Sequence, residues 1–110
     1  MITKHIERFD EVATSILKDM YRRFPATSYP TPTTIGLTTE VPDNSDGDSK
    51  VSKEYEAFSS EVRGAMQWLI EEGYVSDRGY KFGASYVLSS DGLKALARIA
   101  PECRAPLIVS

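Results

Sequence analysis

The chain has 110 residues, of which 41% are hydrophobic and 26% charged, a composition typical of one globular domain with a single core. Its 16 acidic and 13 basic side chains give a net charge of -3, so any attraction to nucleic acid or to an acidic membrane must come from a local basic face. One cysteine and one histidine exclude a disulfide framework and a zinc site built from Cys and His.

The sequence shows no sign of a membrane span or of export. No apolar run approaches the roughly 20 residues that a membrane-spanning helix needs. The first residues, MITKHIERFDEV, are charged where a signal peptide would be apolar. Together with the lone thiol, these features predict a cytoplasmic protein.

The first predicted element is an amphipathic helix from about residue 3 to 24, which Pro25 ends. Its apolar residues recur at steps of three and four and form one face: Ile6, Phe9, Val12, Ala13, Ile16, Leu17 and Met20. The basic residues of this segment lie mostly off that face, and we expect them to form a solvated surface.

The next segment is rich in proline and then in turn-forming residues. Thr31 can cap a short helix that begins at Pro32, with Ile35 and Leu37 against the core. The following stretch, about 39–51, is acidic and poor in apolar residues, so we expect a mobile loop.

A long helix is predicted from about residue 52 to 72, with Ser52 as its cap. Its buried face would hold Tyr55, Phe58, Val62, Ala65 or Met66, and Leu69. Gly73 can adopt the left-handed conformation after the last turn, and Tyr74 would then contact Leu69 in a Schellman motif. Gly64 in mid-helix is unfavourable by about 1 kcal/mol relative to Ala, and a close helix crossing explains it most simply.

The period then changes to that of β-strands. The segments GYVSD and ASYVL flank RGYKFG, whose glycines allow a reversal, so we expect an antiparallel pair between about 74–77 and 84–88. Ser89 can cap a last helix that ends before Pro101, with a buried stripe of Leu93, Leu96, Ile99 and Ala100. Residues 101–110 would form a C-terminal tail.

These last elements resemble the end of a winged helix-turn-helix domain of bacterial or phage type. In that family a Leu near the end of the recognition helix is followed by Gly, by Tyr or Leu, and by Ile or Val, as in Leu69, Gly73, Tyr74 and Val75 here. The family's wing closes with a Leu-Thr-x-x-Gly-x-x-x-Leu pattern, which Leu88, Ser89, Gly92 and Leu96 match with Ser in place of Thr. The resemblance covers about residues 52–100.

The resemblance implies an α+β fold in the order helix, short helix, long helix, β-hairpin wing and helix, as one domain over residues 1–100. The 39–51 loop is longer than the tight turn usual in helix-turn-helix motifs. The implied function is that of a DNA-binding transcriptional regulator, and the alternative is a winged-helix module that binds protein. DNA-binding winged helices commonly act as dimers, so we expect a homodimer through the first and last helices.

The long helix would read the DNA. At 100° per residue, the face opposite its buried stripe holds Lys53, Glu56, Ser60, Arg63, Gly64, Gln67 and Glu71, whose charges cancel. The candidate nucleic-acid contacts are Lys50, Lys53, Arg63 and Gln67 around this helix, and Arg78, Tyr80 and Lys81 on the wing. Tyr80 and Phe82 would either fold over the core or form an exposed patch for a partner.

No pattern in the sequence indicates catalysis, a cofactor or a metal. His5 and Cys103 have no nucleophile or base placed beside them by a motif. Asp46 and Gly47 fit an EF-hand loop, but its first and twelfth positions would be Pro42 and Lys53, where calcium needs carboxylates. We therefore expect a binding protein rather than an enzyme.

Overall fold

The computed structural model describes residues 3–41, 51–79 and 85–109. Over this part of the chain it has three helices and a two-stranded antiparallel hairpin, so the predicted α+β class is confirmed. The elements are α1 (Lys4–Arg23), α2 (Lys53–Glu71), β1 (Val75–Asp77), β2 (Tyr86–Leu88) and α3 (Ser90–Ile99).

Both ends of α2 follow from the local sequence. The Ser52 hydroxyl accepts a hydrogen bond from the Tyr55 N–H at 3.1 Å, which satisfies a free donor of the first turn. At the other end, Gly73 has a φ of +83°, its N–H bonds to the Ile70 carbonyl, and the Tyr74 N–H bonds to the Leu69 carbonyl. These are the two bonds of the predicted Schellman motif.

The hairpin follows immediately, with Val75, Ser76 and Asp77 opposite Leu88, Val87 and Tyr86. The other edge of β2 is also paired, because Ser28 and Tyr86 exchange N–H to carbonyl bonds of 2.8 and 3.0 Å. The sequence pattern did not indicate this bridge. It attaches the hairpin to the segment that precedes the Thr31 turn.

The predicted short helix at Pro32 is not formed. Thr31 does act as a cap, since its hydroxyl accepts from the Thr34 N–H, but the chain makes a single turn. Gly36, with a φ of +85°, ends it, and the Leu37 N–H bonds back to the Pro32 carbonyl. The β-branched residues between these points favour helix only weakly, so the left-handed glycine closes the turn before it extends.

The core lies between α1, α2, α3 and one face of the hairpin. Ile16 of α1 and Leu96 of α3 are fully buried, and Val62, Met66 and Leu69 bring the inner face of α2 against them. Two residues that were predicted on buried helix faces are exposed instead: Ile6 of α1 is 52% exposed and Ile99 of α3 is 58% exposed. Ile99 lies at the edge of the α3 stripe, about 90° from its centre.

Most basic residues of α1 form ion pairs. Arg8 donates to both carboxylate oxygens of Glu61 on α2, at 2.6 and 2.8 Å, and its guanidinium lies 5.9 Å from the Phe58 ring centroid. The hydrogen bonds from Arg8 hold the pKa of the Glu61 carboxyl below its usual value. At the other end of α1, Arg22 and Arg23 pair with the buried carboxylate of Asp19. Arg22 and Arg23 were expected to form only a solvated surface, but they compensate the buried charge of Asp19.

Residues after α3 pack onto the domain. Cys103 and Ala105 are each 8% exposed and belong to the main core. The Tyr21 hydroxyl donates to the Arg104 carbonyl at 2.7 Å, and Glu102 pairs with Lys18 at 3.6 Å. The segment expected as a tail thus covers the C-terminal half of α1.

A close backbone contact joins the end of α2 to the start of α3. The Ser89 hydroxyl accepts from the Gly92 N–H and donates to the Gly73 carbonyl, while the Ser89 N–H donates to the Tyr74 carbonyl. A Cβ added to Gly92 would lie 2.0 Å from the Tyr74 carbonyl oxygen. Gly92 is therefore required by packing. Gly64 is not required by packing, because a Cβ added there would have no neighbour within 4 Å. The prediction that a close helix crossing explains Gly64 is therefore wrong.

We predict that Gly92→Ala destabilises the fold, since the Tyr74 backbone must move to accommodate the methyl group; overpacking of this kind typically lowers the free energy of unfolding by about 1–3 kcal/mol. Gly64→Ala is the matched control and should raise the free energy of unfolding by about 0.5–1 kcal/mol through helix propensity. Urea unfolding measures both. Equal effects of the two substitutions would contradict the role assigned to Gly92.

Candidate nucleic-acid interface

The outward face of α2 is open to solvent along its length. All seven positions expected on this face are exposed: Lys53, Glu56, Ser60, Arg63, Gly64, Gln67 and Glu71. Near its C-terminal end the Gln67 amide donates to the Glu71 carboxylate at 3.1 Å. The face combines two basic and two acidic residues with polar side chains that can form hydrogen bonds to a base edge.

Arg78 is placed by the hairpin. It follows β1 directly, and its N–H donates to the Ser85 carbonyl at 2.8 Å, which continues the ladder one step beyond the Asp77 and Tyr86 pair. The Asp77 carboxylate accepts from the Gly79 N–H at 2.8 Å and so shapes the beginning of the turn. The Arg78 side chain is exposed.

The described residues include four of the seven predicted contacts. Lys53, Arg63 and Gln67 share α2, and Arg78 lies on the hairpin that packs against the end of α2. The other three, Lys50, Tyr80 and Lys81, lie outside the described residues. The same holds for Phe82 and for most of the predicted acidic loop.

The basic residues differ in their pairing. On α1, Arg8, Lys18, Arg22 and Arg23 all form ion pairs. Over residues 3–41, 51–79 and 85–109, no carboxylate pairs with Lys53, Arg63 or Arg78. The guanidinium groups of α2 and of the hairpin therefore have their donors available for another molecule, whereas those of α1 are already used.

Glu40 makes a contact at the start of α2 that the sequence pattern did not indicate. Its carboxylate accepts from both the N–H and the hydroxyl of Ser52, so Glu40 is joined to the N-cap residue of α2. The Thr33 hydroxyl in turn donates to the Glu40 carbonyl. The hydrogen bonds from Ser52 hold the pKa of the Glu40 carboxyl below its ordinary value.

A cavity of about 470 Å³, which we call the α2 cavity, lies beside the same helix. It is bounded by α2, by the segment from Tyr29 to Pro32, and by Tyr86 of β2, and both Arg63 and Gln67 contribute to its lining. The sequence did not indicate this cavity, because the cavity depends on the Thr31 turn and on the bridge between Ser28 and Tyr86.

The described part of the chain contains no group of three or more His, Cys, Asp or Glu residues placed to hold a metal ion. Cys103 is buried in the core and His5 is exposed on the first turn of α1. None of the described helices is both long and apolar enough to cross a membrane.

Comparison of the chain with models of protein families, with curated proteins and with solved structures found no match.

We predict that Glu40→Gln lowers the thermal stability at neutral pH, because Ser52 loses a charged acceptor. The lowered pKa means that the wild-type contribution is complete above the ordinary carboxyl value of 4.5 and is lost as the pH falls through the lower folded-state value. The difference in melting temperature between wild type and variant should therefore vanish in acid. Since Glu61 is present in both proteins, its own titration cancels.

Glu72→Gln is the matched control, because Glu72 is exposed at the other end of α2. A Glu40→Gln effect that is equal to the Glu72→Gln effect, or that persists unchanged at low pH, would show that the Glu40 carboxylate does not hold Ser52.

Proposed function

We propose that the protein is a DNA-binding transcriptional regulator of the winged-helix type, acting in the cytoplasm. The order of helix, capped turn, long helix, hairpin and helix is compatible with a winged helix-turn-helix domain. The bridge between Ser28 and Tyr86 supports this reading, because it fixes the hairpin to the chain ahead of the long helix.

The observation that carries the proposal is that two unpaired arginines lie on α2 and on the hairpin, which contact each other. Lys94, Arg98 and Arg104 are also exposed and unpaired over the described residues, so the surface is marked by its position on these two elements. Arg63 on α2 and Arg78 on the hairpin are exposed and have no carboxylate partner within the described ranges, although the domain carries a net negative charge. Leaving a guanidinium unpaired in such a protein is useful where a phosphate or a base edge is to be bound. Lys53 adds a third unpaired cation on the same helix.

Gly64 gives independent support. It lies exposed in the middle of α2, next to Arg63, at a cost of about 1 kcal/mol relative to Ala and with no packing role within the domain. A glycine at such a position allows another molecule to approach the helix backbone closely. A major groove, which is wide enough to admit an α-helix, would make use of that space.

The proposed division of roles follows from the side chains. Arg63 can form two hydrogen bonds to guanine, and Gln67 can form two to adenine once it leaves Glu71. Arg78 on the hairpin would contact the phosphate backbone, as would Lys81. Lys50, Lys53 and Tyr80 complete the set of nucleic-acid contacts predicted from the sequence.

We predict that wild-type protein binds duplex DNA of random sequence and that its affinity falls steeply with salt, because phosphate contacts release counterions. The double change Arg63→Ala and Arg78→Ala should weaken binding and reduce the slope of log affinity against log salt by about one for each phosphate contact removed. Fluorescence anisotropy at several salt concentrations measures this.

The matched control is Lys94→Ala with Arg98→Ala on α3, which removes the same charge from another exposed surface. If the two double variants weaken binding equally, only net charge matters and the proposed interface is wrong. If wild type shows no affinity at low salt, the DNA-binding function is wrong.

A second function, a winged-helix module that binds protein, is favoured by one observation. Glu56 and Glu71 offset the two cations of the outward face, so the face as a whole is neutral. A neutral helical face with a neighbouring cavity suits a protein surface better than a polyanion. Failure of the DNA experiment would leave this function as the proposal.

We also propose a homodimer that uses α1 and α3. The two helices contact each other, and each exposes an isoleucine: Ile6 on α1 and Ile99 on α3. Near Ile6, the half-exposed Trp68 packs its ring against Phe9, with ring centroids 5.2 Å apart. Exposed apolar side chains of this size commonly mark interfaces.

We predict that light scattering gives twice the monomer mass of 12.2 kDa at tens of micromolar, and that Ile99→Glu restores the monomer because it places a charge in the interface. Val41→Glu is the control, since Val41 is 75% exposed and lies away from both helices in the chain. A monomeric wild type would contradict the dimer, as would dissociation by Val41→Glu to the same extent.

A further inference from the structure

The α2 cavity has the size and shape of a small-molecule site. Its volume of about 470 Å³ lies within the range of roughly 300–1,000 Å³ that is usual for ligand pockets. α2 forms one wall of the cavity, and the residues from Tyr29 to Pro32 form another. Of its lining residues, Val62 and Met66 belong to the core cluster, and Ile70 and Tyr86 pack against that cluster.

The floor and one side of the cavity are apolar and aromatic. Val62, Met66 and Ile70 form the floor along α2. The rings of Tyr29 and Tyr86 lie 5.8 Å apart at an interplanar angle of 37°, and Tyr29 is 60% exposed although its ring is large. A flat apolar ligand could stack on these rings and cover them from water.

The polar groups of the cavity are mostly donors without partners. Tyr55 is 8% exposed, yet its hydroxyl makes no hydrogen bond within the described residues. Among the described residues, Ser28 Oγ is the one fully enclosed side-chain oxygen without a hydrogen-bond partner. Since the Tyr55 hydroxyl also has no partner there, it is not fully enclosed and remains accessible. Arg63 is likewise unpaired and lines the opening. An accessible hydroxyl and an unpaired guanidinium in the lining of one cavity point to a ligand that accepts hydrogen bonds.

The acidic residue of the lining, Glu71, keeps its charge but lies eight residues from Arg63, about two turns further along α2. Glu71 is exposed, and its carboxylate already accepts from Gln67. Burial raises the pKa of the Tyr86 hydroxyl above its ordinary value, with smaller contributions from Asp77 and Tyr29. Tyr86 therefore stays neutral at physiological pH and remains a hydrogen-bond donor rather than a repelling anion.

We propose that the α2 cavity binds a small aromatic carboxylate. Its ring lies against Tyr29 and Tyr86 over the apolar floor, and its carboxylate is bound by the Arg63 guanidinium and the Tyr55 hydroxyl. This combination of an apolar body and one anionic end matches the lining, since arginine binds carboxylates through paired hydrogen bonds.

The site also provides regulation, and this step rests on the proposed DNA-binding function. Arg63 and Gln67 both line the cavity and lie on the outward face of α2. A carboxylate that holds Arg63 removes it from a base edge, so ligand and DNA compete for the same side chain. Ligand binding would then release the duplex.

The experiment is a calorimetric titration of the full chain, without DNA, with naphthoate as the aromatic carboxylate and naphthamide as its uncharged counterpart. The variants are Arg63→Met and Tyr55→Phe, which retain apolar bulk but remove a donor, with Arg98→Met on α3 as the matched control. Thermal unfolding verifies that each variant is folded.

Wild type and Arg98→Met should bind naphthoate equally, Arg63→Met should bind it about tenfold or more weakly, and Tyr55→Phe several-fold more weakly, as expected for loss of a hydrogen bond to a charged group. Naphthamide should bind wild type and Arg63→Met equally. No naphthoate binding at millimolar concentration, or equal binding to wild type and Arg63→Met, would overturn the proposal.

The competition is tested separately by adding naphthoate to the protein bound to labelled duplex. Release of the duplex from wild type is the expected result. Naphthoate that binds without releasing the duplex would contradict the regulatory step. If no duplex binds at all, the proposed function fails, while the titration without DNA still decides whether the cavity takes an aromatic carboxylate.

Discussion

The contact on which the rest of the structure depends is the approach of Gly92 to the Tyr74 carbonyl. At this point the end of α2, the start of β1 and the first turn of α3 share one set of hydrogen bonds through Ser89. A side chain at Gly92 would separate these elements, since its Cβ would overlap the Tyr74 oxygen. The hairpin is therefore held at the end of α2, rather than left as a free loop between two helices.

This junction determines which surfaces can act together. Because β1 begins three residues after the C-cap of α2, Arg78 directly follows a short, paired strand. The bridge from Ser28 to Tyr86 supports the partner strand β2 on its other edge. The same bridge places Tyr86 beside Tyr29 and so completes the α2 cavity. One local arrangement thus supports both the proposed DNA contact on the hairpin and the proposed ligand site along α2.

The elements whose ends depend on a local signal could be predicted from the sequence. Ser52, Gly73 and Ser89 mark helix ends through their own side chain or backbone conformation, and each was found at the predicted place. Features that depend on contacts between residues distant in the chain could not be predicted. They are the bridge between Ser28 and Tyr86, the hydrogen bonds from Ser52 to the Glu40 carboxylate, and the α2 cavity. The turn at Gly36 was mispredicted for a different reason, since a cap alone does not show how far a helix extends.

The proposed surface for duplex DNA is formed by α2 and the hairpin together. The most direct measurement is the change of backbone amide chemical shifts as duplex is added to labelled protein at low salt. The account predicts that the changes concentrate between Lys53 and Gln67 and around Arg78, and that they fade as salt is raised. Shifts that concentrate instead on α3 and the segment after it, or spectra that stay unchanged at low salt, would contradict the claim.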